Sequence, residues 1–172
     1  MHLILIGLRG SGKSTAGRAT ADLVSRPFID LDDRTEAICG LNAMACFEQR
    51  GENAWRKAEA SALRNSIDEP DASIIALGGG TPTAPHAAAM LQEARRNRRV
   101  RIVWLQDTPA NLASRIVDDQ SRPALSDLEP AEEMQLMLER RGPIFRGLAD
   151  AEIEIDNRPL SAVVAELVSL AT

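Results

Sequence analysis

Lysine, tyrosine and cysteine are all scarce in this 172-residue chain. Only Lys13 and Lys57 are lysines, tyrosine is absent, and no apolar run approaches the roughly 18 residues that a membrane-spanning helix needs. The two cysteines, Cys39 and Cys46, match neither a CxxC pair nor a zinc-ligand spacing, so we expect buried thiols rather than a disulfide or a metal site. The absence of a basic leader predicts a cytoplasmic protein.

Positive charge is in deficit as well. The chain has 20 lysines and arginines against 25 acidic residues, a net charge of −5, which argues against a nucleic-acid or anionic-membrane partner. A dense basic run from Arg95 to Arg101 points the other way, but it lacks interleaved aromatic residues and follows a helical segment, whose C-terminus favours cations. We therefore expect small-molecule partners, no nucleic acid and no membrane. We also expect a monomer.

Short apolar runs alternate with longer segments of helical periodicity along the whole of residues 1–172. This alternation predicts a single α/β domain in which helices cover a parallel sheet. The predicted strands are 3–6, 27–30, 73–77, 101–105 and 151–155; the last alternates in polarity, as a strand at a sheet edge does. Two segments without clear periodicity, 32–52 and 118–129, are predicted to be substrate-facing insertions or loops.

Two helical stripes are clear enough to predict a face that packs on the core. Ala16, Ala19 and Leu23 repeat at helical spacing after the first strand, and a second apolar stripe begins at Leu160 and continues to Val168. Both helices are expected to pack on the sheet.

A phosphate loop follows the first predicted strand, because Gly7, Gly12, Lys13 and Ser14 satisfy the pattern GxxxxGK[ST]. Glycines let backbone N–H groups point at phosphates, the next helix adds its positive N-terminal end, and the lysine brings a full charge. The serine is expected to hold magnesium. Kinases, GTPases and non-catalytic nucleotide-binding modules share this loop. Neither lysine follows an asparagine, as the guanine-binding NKxD motif requires, so a GTPase is disfavoured.

An acidic cluster of Asp30, Asp32 and Asp33 follows the second predicted strand. Ligands of open α/β sheets bind at this carboxyl edge. One carboxylate there can hold magnesium and another can hydrogen-bond an attacking hydroxyl, which is what phosphoryl transfer to an alcohol requires. The alternative is that these acids, Asp33 above all, cap the following helix. The cluster favours a kinase with an acceptor pocket.

Six motifs stand in the order and spacing of one family. They are GLRGSGKST at 7–15, DLD at 30–32, WRKAE at 55–59, LGGGT at 77–81, SRPAL at 121–125 and RGPIF at 141–145. With these motifs the chain resembles the shikimate kinase family over nearly its whole length. The family commonly has phenylalanine at position 55, a leucine pair at 124–125 and tyrosine at 145. These departures change shape without removing a charge or a glycine.

The resemblance implies a three-layer P-loop kinase fold, with a five-stranded parallel sheet in the order 2-3-1-4-5. It also implies a substrate-binding insertion at residues 32–60 and a lid at 116–129. The implied reaction is ATP-dependent phosphorylation of the 3-hydroxyl of shikimate, with Mg²⁺ as cofactor. Another small-metabolite kinase, such as gluconate kinase, and a non-catalytic nucleotide-binding module are the alternatives.

Residue roles follow from the same resemblance. The implied catalytic residues are Asp32, Lys13 and Arg122. The implied shikimate contacts are Asp32, Arg56, Gly78, Gly79, Gly80 and Arg141. The implied ATP contacts are Gly10, Ser11, Gly12, Lys13, Ser14, Thr15, Arg115 and Arg122, and the implied metal ligands are Ser14 and Asp30. Glu59 stands three residues after Arg56 in a predicted helix, where it can hold the guanidinium in place.

Overall fold

A parallel sheet is the centre of the computed structural model, which describes residues 1–116 and 128–172. The strands are β1 (His2–Ile6), β2 (Phe28–Asp30), β3 (Ile74–Ala76), β4 (Val100–Gln106) and β5 (Ala151–Glu154). They lie in the order β2-β3-β1-β4-β5 and every pairing is parallel, which confirms the predicted topology. Every predicted strand begins and ends within one residue of an observed strand.

Helices connect the strands on both sides of the sheet. They are α1 (Lys13–Val24), α2 (Leu31–Cys39), α3 (Ala43–Arg50), α4 (Glu52–Ile67), α5 (Pro85–Arg96), α6 (Pro109–Ile116), α7 (Pro130–Leu148) and α8 (Leu160–Ala171). A 3₁₀ turn, Thr81–Thr83, lies between β3 and α5. Among the described residues, no helix is long and apolar enough to cross a membrane.

Two hydrophobic cores lie on opposite faces of the sheet, and β1 contributes to both. Ile4 and Ile6 pack in the core that α4, α5 and α7 close, whereas Leu3 and Leu5 pack in the core beneath α1 and α8. Successive strand residues point to opposite faces, so a strand buried on both sides must be apolar throughout. The three-layer prediction is confirmed. The edge prediction for β5 is confirmed too, because only Ile153 is buried in it.

Of the two predictions for 32–52, an insertion or a loop, the loop is wrong, because α2 and α3 occupy most of this segment. Asp30 caps α2, Gly40 ends it at φ 72°, and the Asn42 side chain caps α3. Each helix spans only two or three turns and carries a largely polar outer face, so its periodicity is weak in the sequence. Their buried sides pack with α4 in a third cluster, whose members are Cys39, Ala43, Cys46, Trp55 and Ala58. Both cysteines are buried free thiols there, as predicted.

The helical stripes are confirmed only in part. Leu23 is 69% exposed and Leu160 is 46% exposed, so neither belongs to the core. Helix α1 instead turns its small residues toward the sheet, and a Cβ on Gly17 would stand 2.6 Å from the Phe28 ring. A helix that lies this close packs through alanine and glycine and leaves its leucine in solvent.

The basic run 95–101 forms local contacts at the surface. Arg95 pairs with Asp150 at 2.6 Å and Arg99 with Asp68 at 2.8 Å. Arg101 donates to the carbonyl oxygen of Leu170 at 2.7 Å. These arginines connect the segment between α5 and β4 to other parts of the surface. The contacts agree with the interpretation of the run as surface residues that follow a helix.

Candidate active site

The phosphate loop joins β1 to α1, and three glycines with positive φ shape it. Gly12 caps α1 at φ 73°, and a Cβ there would meet nothing within 4 Å, so the backbone angle alone requires glycine. A Cβ on Gly10 would stand 2.7 Å from the carbonyl oxygen of Leu112, and one on Gly7 would stand 2.6 Å from that of Leu105. The loop therefore packs tightly against the ends of β4 and α6.

Lys13 reaches back across this loop from the first position of α1. Its Nζ donates to the carbonyl oxygens of Gly7 at 3.0 Å and Leu8 at 2.8 Å, and to Ser11 Oγ at 3.3 Å. The Ser11 side chain is buried inside the loop, whereas Thr15 is exposed on α1. These contacts hold the ammonium where an anionic group bound by the loop would meet it.

Asp30 connects the phosphate loop to the acidic segment. Its Oδ2 accepts a hydrogen bond from Ser14 Oγ at 2.7 Å, and its Oδ1 accepts from the backbone N–H of Asp32 at 3.1 Å. Asp30 is thus the cap of α2, so the capping alternative is confirmed for Asp30 and wrong for Asp33. The Asp33 side chain is 75% exposed and lies 3.9 Å from Arg18. Asp30 and Ser14 form the oxygen pair that the sequence predicts as metal ligands.

Arg56 projects from α4 onto the three-glycine segment that follows β3. Its Nη1 donates to Glu59 Oε2 at 2.8 Å, and its Nη2 donates to Glu52 Oε1 at 2.9 Å. The guanidinium covers Gly80, where a Cβ would stand 2.9 Å from Nη2. Burial disfavours the guanidinium charge, but Glu59 and Glu52 outweigh it and raise the pKa of Arg56. Arg56 therefore stays cationic in a partly buried place.

Arg141 approaches the same segment from α7. Its Nη1 donates to the carbonyl oxygen of Gly79 at 2.9 Å. Gly79 also packs on the phosphate loop, since a Cβ there would stand 3.4 Å from the backbone nitrogen of Arg9 and 3.5 Å from the carbonyl oxygen of Gly7. Both predicted carboxylate-binding arginines thus meet at the three glycines, next to the loop that would hold the nucleotide.

Asp32 completes this cluster from the first turn of α2. Its carboxylate packs against Gly78, the first of the three glycines. The structure therefore brings Asp32, Arg56 and the glycines together, as the prediction of a shared acceptor pocket requires, with the phosphate loop on the other side of Gly79.

Arg115 lies at the opposite end of the phosphate loop, on α6. Its Nη1 donates to the carbonyl oxygen of Gly10 at 3.1 Å, and its Nη2 pairs with the fully buried carboxylate of Asp107 at 2.7 Å. Asn111 links Asp107 to Asp156 through hydrogen bonds of 2.8 and 2.7 Å. Sequence reasoning missed Asp107, although its place after β4 at the carboxyl edge of the sheet could have indicated it.

Three residues remain to be placed: Thr81, Arg122 and Arg158. Thr81, the last residue of the LGGGT motif, was assigned no role from sequence; it donates from its buried hydroxyl to Glu59. Arg122 and most of the predicted lid lie outside the described residues. Arg158, beyond β5, donates to the carbonyl oxygen of Glu154 and to Glu166.

A glycine-rich loop and lysine at the carboxyl edge of a 2-3-1-4-5 parallel sheet define a P-loop phosphotransferase. The acceptor side, with one carboxylate and two guanidinium groups, narrows this class to kinases of small anionic metabolites.

Comparisons with known proteins agree with this class. The family model "Shikimate kinase" matches residues 9–172. The shikimate kinase of Pseudomonas syringae pv. tomato is 35% identical over 170 residues, which cover 98% of this chain and 94% of that protein. A solved shikimate kinase from Acinetobacter baumannii in complex with shikimate superposes with a TM-score of 0.88 at 28% identity, covering 98% of this chain and 91% of the other. A gluconokinase from Sinorhizobium meliloti 1021 has a TM-score of 0.60 at 18% identity, over 99% of this chain and 90% of the other, and shares the fold alone.

The chain belongs to the shikimate kinase family.

Proposed function

We propose that the protein transfers the terminal phosphoryl group of ATP to the 3-hydroxyl of shikimate. Family membership supports this reaction. The observation that carries the assignment of the site is that Arg56 and Arg141 are both held at the three glycines, one over Gly80 and one on the Gly79 carbonyl. The gluconate kinase and non-catalytic alternatives are disfavoured.

The two arginines bind the carboxylate of shikimate. A planar carboxylate is recognised best by guanidinium groups, because each presents fixed parallel N–H donors. Arg56 is already oriented by Glu59, so it loses little side-chain freedom when the substrate arrives. Residues 32–60, which carry Asp32 and Arg56, form the substrate-binding segment.

Asp32 orients the reacting hydroxyl. Its carboxylate accepts a hydrogen bond from the 3-hydroxyl of shikimate and takes the proton as the oxygen attacks the γ-phosphorus, while the bond from the γ-phosphorus to the bridging β-phosphate oxygen breaks and ADP leaves. Most of the rate gain in phosphoryl transfer comes from such positioning and from stabilisation of charge.

The phosphate loop binds ATP through its backbone N–H groups, the start of α1 and Lys13. Residues 10–15 line the phosphates, and Lys13 stabilises negative charge that develops on the transferred group. Arg115 borders the adenine. By the family resemblance, Arg122 stabilises charge on the transferred phosphoryl group; it belongs to the predicted lid at 116–129 and lies outside the described residues.

Ser14 and Asp30 hold Mg²⁺ together with ATP. Magnesium prefers oxygen ligands and keeps several waters when it is bound through few protein groups and substrate phosphates. Ser14 Oγ and Asp30 Oδ2 are two such oxygens, already 2.7 Å apart. When bound, the metal neutralises charge on the phosphate oxygens.

We place the protein in the cytoplasm and propose that it is a monomer. Size-exclusion chromatography with light scattering tests the monomer.

A coupled assay of ADP release tests the function with three acceptor conditions: shikimate, gluconate and none. We expect Mg²⁺-dependent ADP release with shikimate and little with gluconate or without acceptor. A higher kcat/KM for gluconate would reassign the acceptor. ADP release that does not depend on an acceptor would indicate an ATPase, and the absence of ADP release would leave a non-catalytic nucleotide-binding module.

A further inference from the structure

The hydroxyl of Thr81 connects the three-glycine segment to helix α4. Thr81 is fully buried in the 3₁₀ turn, and its Oγ1 donates to Glu59 Oε1 at 2.6 Å. The other oxygen of the same carboxylate, Oε2, accepts from Arg56 Nη1 at 2.8 Å. One carboxylate therefore links a hydroxyl on the turn to a guanidinium in the acceptor site.

Glu59 depends on both donors, because only 2% of it is exposed to solvent. A buried carboxylate oxygen that loses its donor cannot take water in exchange, so the side chain changes rotamer or its surroundings shift. Glu52, the second carboxylate partner of Arg56, is 65% exposed. An exposed ion pair of this kind restrains an arginine weakly. The direction of the Arg56 guanidinium therefore depends mainly on Glu59.

We propose that Thr81 is a positioning residue for the acceptor site. By fixing Glu59 Oε1, it sets the rotamer of Glu59, which in turn aims Arg56 at the carboxylate of the substrate. The segment 79–81 thus contacts both arginines. Thr81 is linked to Arg56 through Glu59, and Arg141 donates to the carbonyl oxygen of Gly79, two residues before Thr81. This inference rests on the proposed role of Arg56 in binding shikimate.

The test is the substitution of Thr81 by valine, which keeps the shape and removes the donor, beside Thr81→Ser, which keeps the donor. We expect Thr81→Val to raise the KM for shikimate about tenfold, the usual effect of losing a hydrogen bond to a charged group, and to leave the KM for ATP unchanged. Thr81→Ser should restore the wild-type KM for shikimate. If Thr81→Val fails to fold, Thr81→Ala gives the same readout.

Thr83→Val is the matched control. Thr83 Oγ1 donates to the carbonyl oxygen of Gly80 at 2.7 Å, so this variant removes a hydroxyl from the same turn without touching Glu59. Three results would overturn the proposal. They are an equal rise in the shikimate KM for Thr83→Val, equal rises in the KM values for shikimate and ATP for Thr81→Val, and no change of either KM for Thr81→Val.

Arg56→Ala in the same assay distinguishes failure of the acceptor-site assignment from failure of the role of Thr81. If it leaves the shikimate KM unaltered, the acceptor-site assignment fails; if it raises that KM while Thr81→Val does not, only the role of Thr81 fails.

Discussion

Asp32 occupies the space that a side chain on Gly78 would fill. A Cβ built on Gly78 would stand 2.6 Å from Asp32 Oδ1, 3.0 Å from Thr81 Oγ1 and 3.3 Å from Glu59 Oε1. The backbone after β3 and the carboxylate on α2 have to approach this closely for the acidic segment to face the acceptor site. The φ of Gly78 is not positive, so its backbone angle does not require glycine. Glycine is needed at this position because there is no room for a side chain.

Gly78→Ala should destabilise the protein by about 1–3 kcal/mol, the usual cost of overpacking, and should lower turnover because Asp32 must move. Urea unfolding followed by circular dichroism measures the stability. Gly147→Ala is the control: Gly147 lies in α7, and a Cβ there meets nothing within 4 Å. That variant should be as stable as the wild type or more stable by up to about 1 kcal/mol. Equal behaviour of the two variants would contradict the packing argument.

Lys13→Ala should reduce kcat by about 100- to 1000-fold or more, because it removes a charge where negative charge builds up on the transferred phosphoryl group. The circular dichroism spectrum should stay unchanged. Lys57→Ala is the matched control, since Lys57 is the other lysine of the chain and is exposed on α4. Near-normal turnover by Lys13→Ala would remove the lysine from the mechanism.

Asp32→Asn keeps the size of the side chain but loses its charge and its capacity to take a proton. Turnover of shikimate should fall about 100-fold or more, the usual scale for a general base. The exposed neighbour provides the control, since Asp33→Asn should keep its turnover. A loss of about tenfold or less for Asp32→Asn would restrict Asp32 to binding.

Arg56→Ala and Arg141→Ala should each weaken the binding of shikimate by about 2–5 kcal/mol, as truncation of one member of a buried charge pair does. ATP affinity, measured by calorimetry, should not change, because backbone N–H groups and Lys13 hold the phosphates. Arg64→Ala, at an exposed position on the same helix as Arg56, controls for loss of surface charge. Equal losses of affinity for shikimate and for ATP would show that these arginines do not belong to a separate acceptor site.

His2 should make the protein less stable in mild acid. Its ring is buried, and its Nδ1 accepts a hydrogen bond from the Ser73 N–H at 3.2 Å, which requires the unprotonated nitrogen. Burial, and to a lesser extent the positive charges of the N-terminus and Arg99, lower the pKa of His2 in the folded protein and outweigh the opposing effect of Glu69. The unfolded chain therefore takes up the proton first, so stability is complete above about pH 6.5 and declines as the pH falls below it.

The measurement compares urea unfolding at about pH 7.5 and about pH 5.5 for the wild type and for His2→Asn. Asparagine offers an acceptor oxygen in a similar place and does not titrate. The wild type should lose more stability on acidification than the variant. The same loss in both proteins would show that other groups cause the acid sensitivity.

The strands and the phosphate loop could be predicted from sequence because their signals are local. Buried parallel strands are continuous apolar runs, and a loop that must bend around phosphates needs glycine at fixed places. Helices α2 and α3 gave no such signal, since their caps at Asp30 and Asn42 resemble ordinary loop residues and their buried faces are short.

The unassigned role of Thr81 and the wrong burial of Leu23 have a different origin. Nothing near Thr81 in sequence indicates that its partner is Glu59, 22 residues away. The pairing exists because β3 and α4 bring the 3₁₀ turn beneath the helix. Leu23 was mispredicted for a similar reason, since the close approach of Gly17 to Phe28 decides which face of α1 is buried. Contacts between elements decide such details, and periodicity does not encode them.

The double use of Asp30 limits what evolution or a protein engineer can place at that position. One oxygen accepts from Ser14 while the other caps α2. Asparagine would offer only one acceptor oxygen, serine and threonine have a single oxygen, and the extra methylene of glutamate would displace both contacts. Position 30 therefore has no conservative replacement, and a library that aims to change the acceptor should keep Asp30 fixed and vary its surroundings.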